Sequence, residues 1–120
     1  MFDLDTIDLT AFESSAGQAA RLLRALANER RLMILCQLGE RERTVSELMP
    51  LVGLSQSALS QHLAVLREEG VVATRREGQS IWYRIADPAA VKVVSTLAEI
   101  FCPPDVRHPH DCSFDPPEPR

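Results

Sequence analysis

A mainly α-helical fold carrying one β-hairpin is what this sequence predicts, on three observations. Apolar residues recur at helical spacing through residues 10–38 and again through 88–102. Between these stretches, two short apolar segments flank Gly53. Leu48, Leu51 and Val52 precede it, and Leu59, Leu63 and Leu66 follow a Ser55 that can cap a helix. After Gly70, the alternating runs Val71 to Arg76 and Ser80 to Ile85 are joined by a tight turn expected at Glu77-Gly78.

The first helix is expected over Thr10 to Leu26, with Phe12, Ala16, Ala19, Leu22, Leu23 and Leu26 on one broad face. Asn28 can cap a second helix that runs through Leu38 and stops at Gly39. Its stripe is Leu32, Leu35 and Cys36, widened by Ile34 and Leu38. Arg41 to Arg43 form a charged loop, Thr44 and Val45 a stub of strand, and Ser46 the expected cap of the third helix. Pro50 then falls close enough to the first turn for its missing N–H to disturb little.

The fourth helix opens at Ser55 and ends around Glu69, with Gly70 as a left-handed cap. Asp87-Pro88 starts the last helix, a capping carboxylate followed by proline at the first helical position, and Pro103-Pro104 ends it after Cys102. Val91, Val94, Ala98 and Phe101 form one stripe of that helix, and Val93, Leu97 and Ile100 another. A terminal helix apolar on two faces needs more cover than a small monomer supplies. A homodimer through the first and last helices is therefore expected. Around this domain, residues 10–102, lie an acidic extension (1–9) and a Pro-rich tail (103–120) expected to be poorly ordered.

Opposite the leucines of the fourth helix stand Gln56, Ser57, Ser60, Gln61 and Ala64. This face is short, uncharged and rich in amides and hydroxyls, which suits hydrogen bonding to base edges in a DNA major groove. The two helices across Gly53 thus form a helix-turn-helix, and the hairpin after it a wing. The expected DNA contacts are Ser55, Gln56, Ser57, Ser60, Gln61 and His62 on the helix, with Arg75, Arg76 and Gln79 on the wing reaching phosphate or the minor groove. His62 reads equally as a packing residue, and Arg31 as a phosphate contact or the partner of a carboxylate.

The net charge of −4 is the wrong sign for gripping a polyanion, yet residues 21–43 hold six Arg against three Glu while both ends are acidic. A dimer can therefore offer a local arginine footprint whose grip weakens as salt rises. No apolar run approaches the ~18 residues needed to span a bilayer, and the acidic start MFDLDTID is unlike a secretory signal. The expected setting is cytoplasmic, with no membrane partner and no cofactor.

Cys36, Cys102 and Cys112 contain no short pair and read as thiols. Taken alone, Cys36 reads as a buried core cysteine, and Cys102 sits at a helix C-terminus whose dipole disfavours a thiolate. His108, His110 and Cys112, with Cys102 nearby, make an alternative set for a metal or metalloid. A thiol enzyme carrying persulfide would need an activating His or cationic loop beside a helix cysteine. The sequence offers neither, so a non-enzyme is expected.

The order helix, helix, helix-turn-helix, wing, helix resembles the ArsR/SmtB family of winged-helix repressors across residues 15–102. The resemblance rests on the stretches Leu26-Ala27-Asn28-Glu29-Arg30-Arg31-Leu32, Leu54 to Leu63 (LSQSALSQHL), Arg67-Glu68-Glu69-Gly70-Val71-Val72 and Arg75 to Arg84 (RREGQSIWYR). It implies a homodimer on a partly palindromic operator, released when an inducer binds. Metalloid sensors of the family carry Cys-x-Cys near the first reader helix, where Ser46 to Pro50 has no cysteine. Its zinc sensors place Asp and His along the last helix, where residues 88–102 hold no His. Cys36 and Cys102 instead resemble the subgroup that senses sulfide-derived persulfides by bridging two thiols. The resemblance thus implies a sensing pair controlling sulfide-detoxification genes, acting as repressor or as displacer of another regulator.

Overall fold

The computed structural model describes residues 8–102. In chain order these form α1 (Leu9–Leu26), α2 (Glu29–Leu38), β1 (Arg43–Thr44), α3 (Val45–Val52), α4 (Gln56–Glu68), β2 (Val72–Glu77), β3 (Ser80–Ile85) and α5 (Pro88–Phe101). The helices, the hairpin and their order match the winged helix-turn-helix expected from the sequence.

α1 begins at Leu9, one residue before the expected start, and Asp8 caps it. Its Oδ1 accepts from the N–H groups of Thr10 and Ala11 at 3.1 and 3.2 Å. Asn28 caps α2 by accepting from Arg31 N–H at 3.0 Å. The Arg31 side chain turns back, its Nε donating to the Ala25 carbonyl at 2.6 Å and its terminal nitrogen to that of Arg24 at 3.3 Å. Arg31 thus serves the Ala25 carbonyl at the end of α1 and shares that of Arg24 with the Ala27 N–H, which reaches it at 3.3 Å. Its partner is backbone, where a carboxylate or a phosphate was expected.

The start of α3 differs from expectation by two residues. Thr44, not Ser46, is the cap, and it forms a reciprocal box with Glu47. Pro50 consequently lies deeper in the helix than the sequence suggested. The carbonyl deprived of its N–H belongs to Ser46, an exposed residue that water can serve.

Ser55 caps α4, accepting from Ala58 N–H at 3.2 Å. At its far end Gly70 takes φ +78°, with Gly70 N–H bonded to the Arg67 carbonyl at 3.0 Å and Val71 N–H to that of Leu66 at 2.8 Å. These paired bonds, with Leu66 and Val71 both buried, stop the helix and aim the chain into β2. Glu77 pairs with Ser80, so the two-residue loop is Gly78-Gln79, one position later than expected. The first loop residue needs positive φ, and Gly78 supplies +62°. β1 joins the other side of β3, opposing Thr44 to Trp82, and completes an antiparallel sheet of order β1-β3-β2.

The core gathers Ile34, Leu35 and Leu38 of α2, Leu48 of α3, and Leu59, Leu63 and Leu66 of α4 at full burial, with Ala90 and Val94 of α5 against them. α2 is the hub, packing on α1, α3, α4, β3 and α5. Its buried stripe centres on Ile34, Leu35 and Leu38, leaving Leu32 and Cys36 half-buried at the margin. Only the last turns of α1 meet α2 closely. Large apolar side chains therefore remain uncovered at both ends of the domain: Leu9, Phe12 and Leu23 on α1, Ile100 and Phe101 on α5, from 54% exposed at Phe12 to 75% at Phe101. No helix among the described residues is long and apolar enough to cross a membrane.

Candidate nucleic-acid interface

α4 divides cleanly between two environments. Leu59, Leu63 and Leu66 are fully buried, while Gln56, Ser57, Ser60, Gln61 and Ala64 are exposed on the opposite side. This is the consequence of 3.6-residue periodicity: anchoring three leucines fixes where the amides and hydroxyls point. Gly53, left-handed at φ +68°, turns the chain between α3 and α4. α2, α3 and β2 then hold α4 from behind. His62 lies between the two faces, half-buried. The Ser55 hydroxyl serves first as the helix cap and also lies 3.5 Å from that of Ser57.

The exposed polar groups can donate to and accept from base edges, and the unfilled N-terminal N–H groups of α4 favour an anionic neighbour. Between α4 and the wing runs a shallow groove bordered by Ser60, Ala64, Arg67 and Tyr83. Arg76 and Gln79 are exposed on the wing.

Arg75 is exposed as well, but its guanidinium is engaged by carboxylates. Its Nε donates to both Glu42 carboxylate oxygens at 3.2 and 3.0 Å, and one terminal nitrogen reaches Glu42 Oε1 at 2.7 Å. The other terminal nitrogen donates to Glu77 Oε1 at 3.0 Å. The guanidinium carbon also lies 5.8 Å from the centre of the Trp82 ring, a cation–π distance. Hydrogen bonds from Arg75, helped by the charges of Arg75 and Arg84, hold the Glu42 carboxyl below its usual range against the opposing effect of burial. Reciprocally, the hydrogen bonds to Glu42 and Glu77 push the Arg75 guanidinium further toward its charged form. Sequence reasoning did not single out Glu42. It stands 33 positions from Arg75, and only the folded wing brings them together.

The two cysteines within the described residues sit on neighbouring helices. Cys36 lies near the end of α2, and Cys102 closes α5 with its N–H donating to the Ala98 carbonyl at 2.8 Å. Both are half-buried, and α2 and α5 pack against each other. His108, His110 and Cys112 lie outside the described residues. Among the described residues no group of three or more His, Cys, Asp and Glu could hold a metal ion.

Residues 28–74 match the family model described as bacterial regulatory protein, arsR family. The biofilm growth-associated repressor of Agrobacterium fabrum is 44% identical over 103 residues, 86% of this chain and 88% of that protein. HlyU of Vibrio cholerae, named a transcriptional activator, is 44% identical over 96 residues, 80% of this chain and 89% of that one. Its structure described as reduced HlyU aligns with a TM-score of 0.72 at 44% identity, covering 78% of this chain and 98% of that chain. The crystal structure of the repressor BigR from Xylella fastidiosa gives a TM-score of 0.75 at 41% identity, over 81% of this chain and 99% of that one. With the reader helix, the wing and these relatives agreeing over most of their lengths, the chain belongs to the ArsR family of bacterial regulatory proteins and is a transcriptional regulator, not an enzyme.

Proposed function

We propose that the chain is a homodimeric repressor that senses reactive sulfur species through Cys36 and Cys102 and releases its operator when the two become bridged. The observation that carries this is their placement, half-buried on two helices that pack together. α2 also packs on α3 and α4, while α5 carries the uncovered Ile100 and Phe101 toward the proposed dimer partner. A link between the thiols would therefore act on the reader and on the subunit contact together. A relative solved in a form described as reduced supports thiol chemistry as the switch.

Gln56, Ser57, Ser60 and Gln61 read base edges in this scheme, Ser55 and His62 flank them toward phosphate, and Arg76 and Gln79 hold the backbone or minor groove. The switching step balances with an inorganic polysulfide as oxidant: two protein thiols and one dihydrogen trisulfide give a protein trisulfide and two molecules of hydrogen sulfide. The first thiolate attacks the central sulfur of the trisulfide and displaces a hydrosulfide ion, leaving a cysteine hydrotrisulfide. The second thiolate then attacks the sulfur next to the first cysteine's own and displaces a second hydrosulfide.

Length makes the chemistry selective. A direct disulfide needs Cα atoms within roughly 7 Å, and each inserted sulfur extends the reach by up to about 2 Å. Thiols held too far apart for a direct bond are closed by polysulfide and poorly by peroxide. Genes for sulfide detoxification are the matching targets, in a cytoplasmic setting. The named relatives include a repressor and an activator. Operator occupancy yields either output, depending on whether it blocks polymerase or displaces another repressor.

The test is an operator titration of reduced, peroxide-treated, polysulfide-treated and zinc-loaded protein, alongside Cys36→Ser and Cys102→Ser. Polysulfide should release the operator and yield a Cys36–Cys102 peptide with extra sulfur by mass spectrometry, and neither serine variant should respond. Release while both thiols stay reduced overturns the reading. Release by zinc alone, abolished by changing His108, His110 and Cys112, replaces it with metal sensing.

A further inference from the structure

We propose that Arg75 is a positioning residue: through Glu42 it clamps the wing to the segment joining α2 to β1, leaving Arg76 as the wing's DNA-facing cation. This rests on the DNA-binding reading above and deepens it. All three nitrogens of the Arg75 guanidinium are engaged, with the forked pair to Glu42 and a separate bond to Glu77. Glu42 and Glu77 match the charge of Arg75 for as long as the clamp is closed, so its guanidinium is already engaged by carboxylates. Forked arginine–carboxylate pairs also fix direction as well as distance.

Strand register separates the two wing arginines. Arg75 lies directly opposite Trp82 and Arg76 opposite Ile81, so neighbours in sequence occupy opposite faces of the sheet. One face carries the clamp, with the Trp82 ring beneath the guanidinium. Arg76 takes the other face, and among the described residues no ion pair is found for it within 4 Å. The clamp is also anchored at its far end. Arg43, next to Glu42, donates from Nε at 2.7 Å to the carbonyl of Gln37, the residue after Cys36. The wing is therefore tied by side chains to the end of the helix that bears the first sensing thiol.

Glu42→Gln decides the matter because the two readings differ in sign. Removing an acid from a DNA-binding surface ordinarily tightens binding. If Glu42 merely masked a phosphate-binding Arg75, Glu42→Gln should bind more tightly and steepen the log–log salt dependence by about one. The clamp predicts the opposite: operator affinity falls by about five- to tenfold with an unchanged salt slope, and the double variant Glu42→Gln, Arg75→Gln is no weaker than either single change. Trp82 is the chain's one tryptophan. Its emission should shift in all three clamp variants and stay constant in Arg76→Gln, whose salt slope should drop by about one.

Tighter, steeper binding by Glu42→Gln overturns the proposal. So does a shifted Trp82 emission with wild-type affinity, because wing position would then not matter. Failure of the DNA-binding reading has another signature, namely unmodified protein gripping operator and random duplex equally. That result would overturn the clamp's role with it.

Discussion

Thr44 carries the start of the reader unit in one side chain. Its Oγ1 accepts from Glu47 N–H and its own N–H donates to Glu47 Oε1, each at 3.2 Å, so two backbone donors are satisfied reciprocally. Thr44→Ala should therefore cost about 1 kcal/mol in chemical denaturation, whereas Ser46→Ala, already inside the helix and exposed, should stay within about 0.5 kcal/mol. Equal losses would reject the assignment. The box was legible as Thr44-x-x-Glu47, and the competing Ser46 obscured it. Glu42 makes a second prediction at this scale. Its carboxyl is held low by Arg75, so the pairing it provides is complete above the ordinary value of 4.5 and is lost only as pH falls through its depressed folded value. Trp82 emission should stay level from neutral pH down to 4.5 and change below it. A transition centred above 4.5 would show that Glu42 does not hold the clamp.

α4 shows how an element sorts residues that look alike in a list. Leu63→Ala should destabilise the fold by about 2–5 kcal/mol through lost burial and a residual cavity. Gln61→Ala, fully on the exposed side, should leave stability within about 0.5 kcal/mol while weakening specific operator binding by about 1–3 kcal/mol. Denaturation and operator titration on the same two variants check both halves, and coupled losses in Gln61→Ala would place that side chain in packing instead. The faces of α4 were legible because periodicity is local and needs no knowledge of neighbours. β1 was less so: a two-residue strand exists only through pairing with β3 nearly forty positions later. The hairpin loop slipped by one because a glycine serves either Glu77-Gly78 or Gly78-Gln79, and only the register opposing Glu77 to Ser80 decides. Arg31 and Arg75 were recognised as cations, but their partners, two helix-end carbonyls and a remote glutamate, leave no local signature.

At the scale of the whole molecule, the most exposed apolar residues lie on α1 and α5, while Val65 of α4 and Ile81 of the wing are only 37% exposed. Leu9, Phe12 and Leu23 of α1 and Ile100 and Phe101 of α5 are exposed, whereas the outer face of α4 presents amides and hydroxyls. Burial of large apolar side chains stabilises by about 1.5–3 kcal/mol each, so covering them with the same faces of a second copy, as proposed above, would stabilise the assembly. Such a pairing would set two copies of α4 at a fixed separation, and two-fold helix-turn-helix readers need about 34–36 Å to meet successive major grooves. Phe12→Glu with Phe101→Glu should therefore give a chain of monomer mass by sedimentation. Both positions lie outside the buried core, so circular dichroism should remain helical. Operator affinity should fall by about 10²–10⁴, the loss expected when two half-sites are no longer gripped together. A doubly substituted chain that still sediments as a dimer would place the subunit contact elsewhere. A monomer that keeps full affinity would mean one reader suffices, and a thiol bridge could then release DNA only by moving the wing and α4 within a single chain.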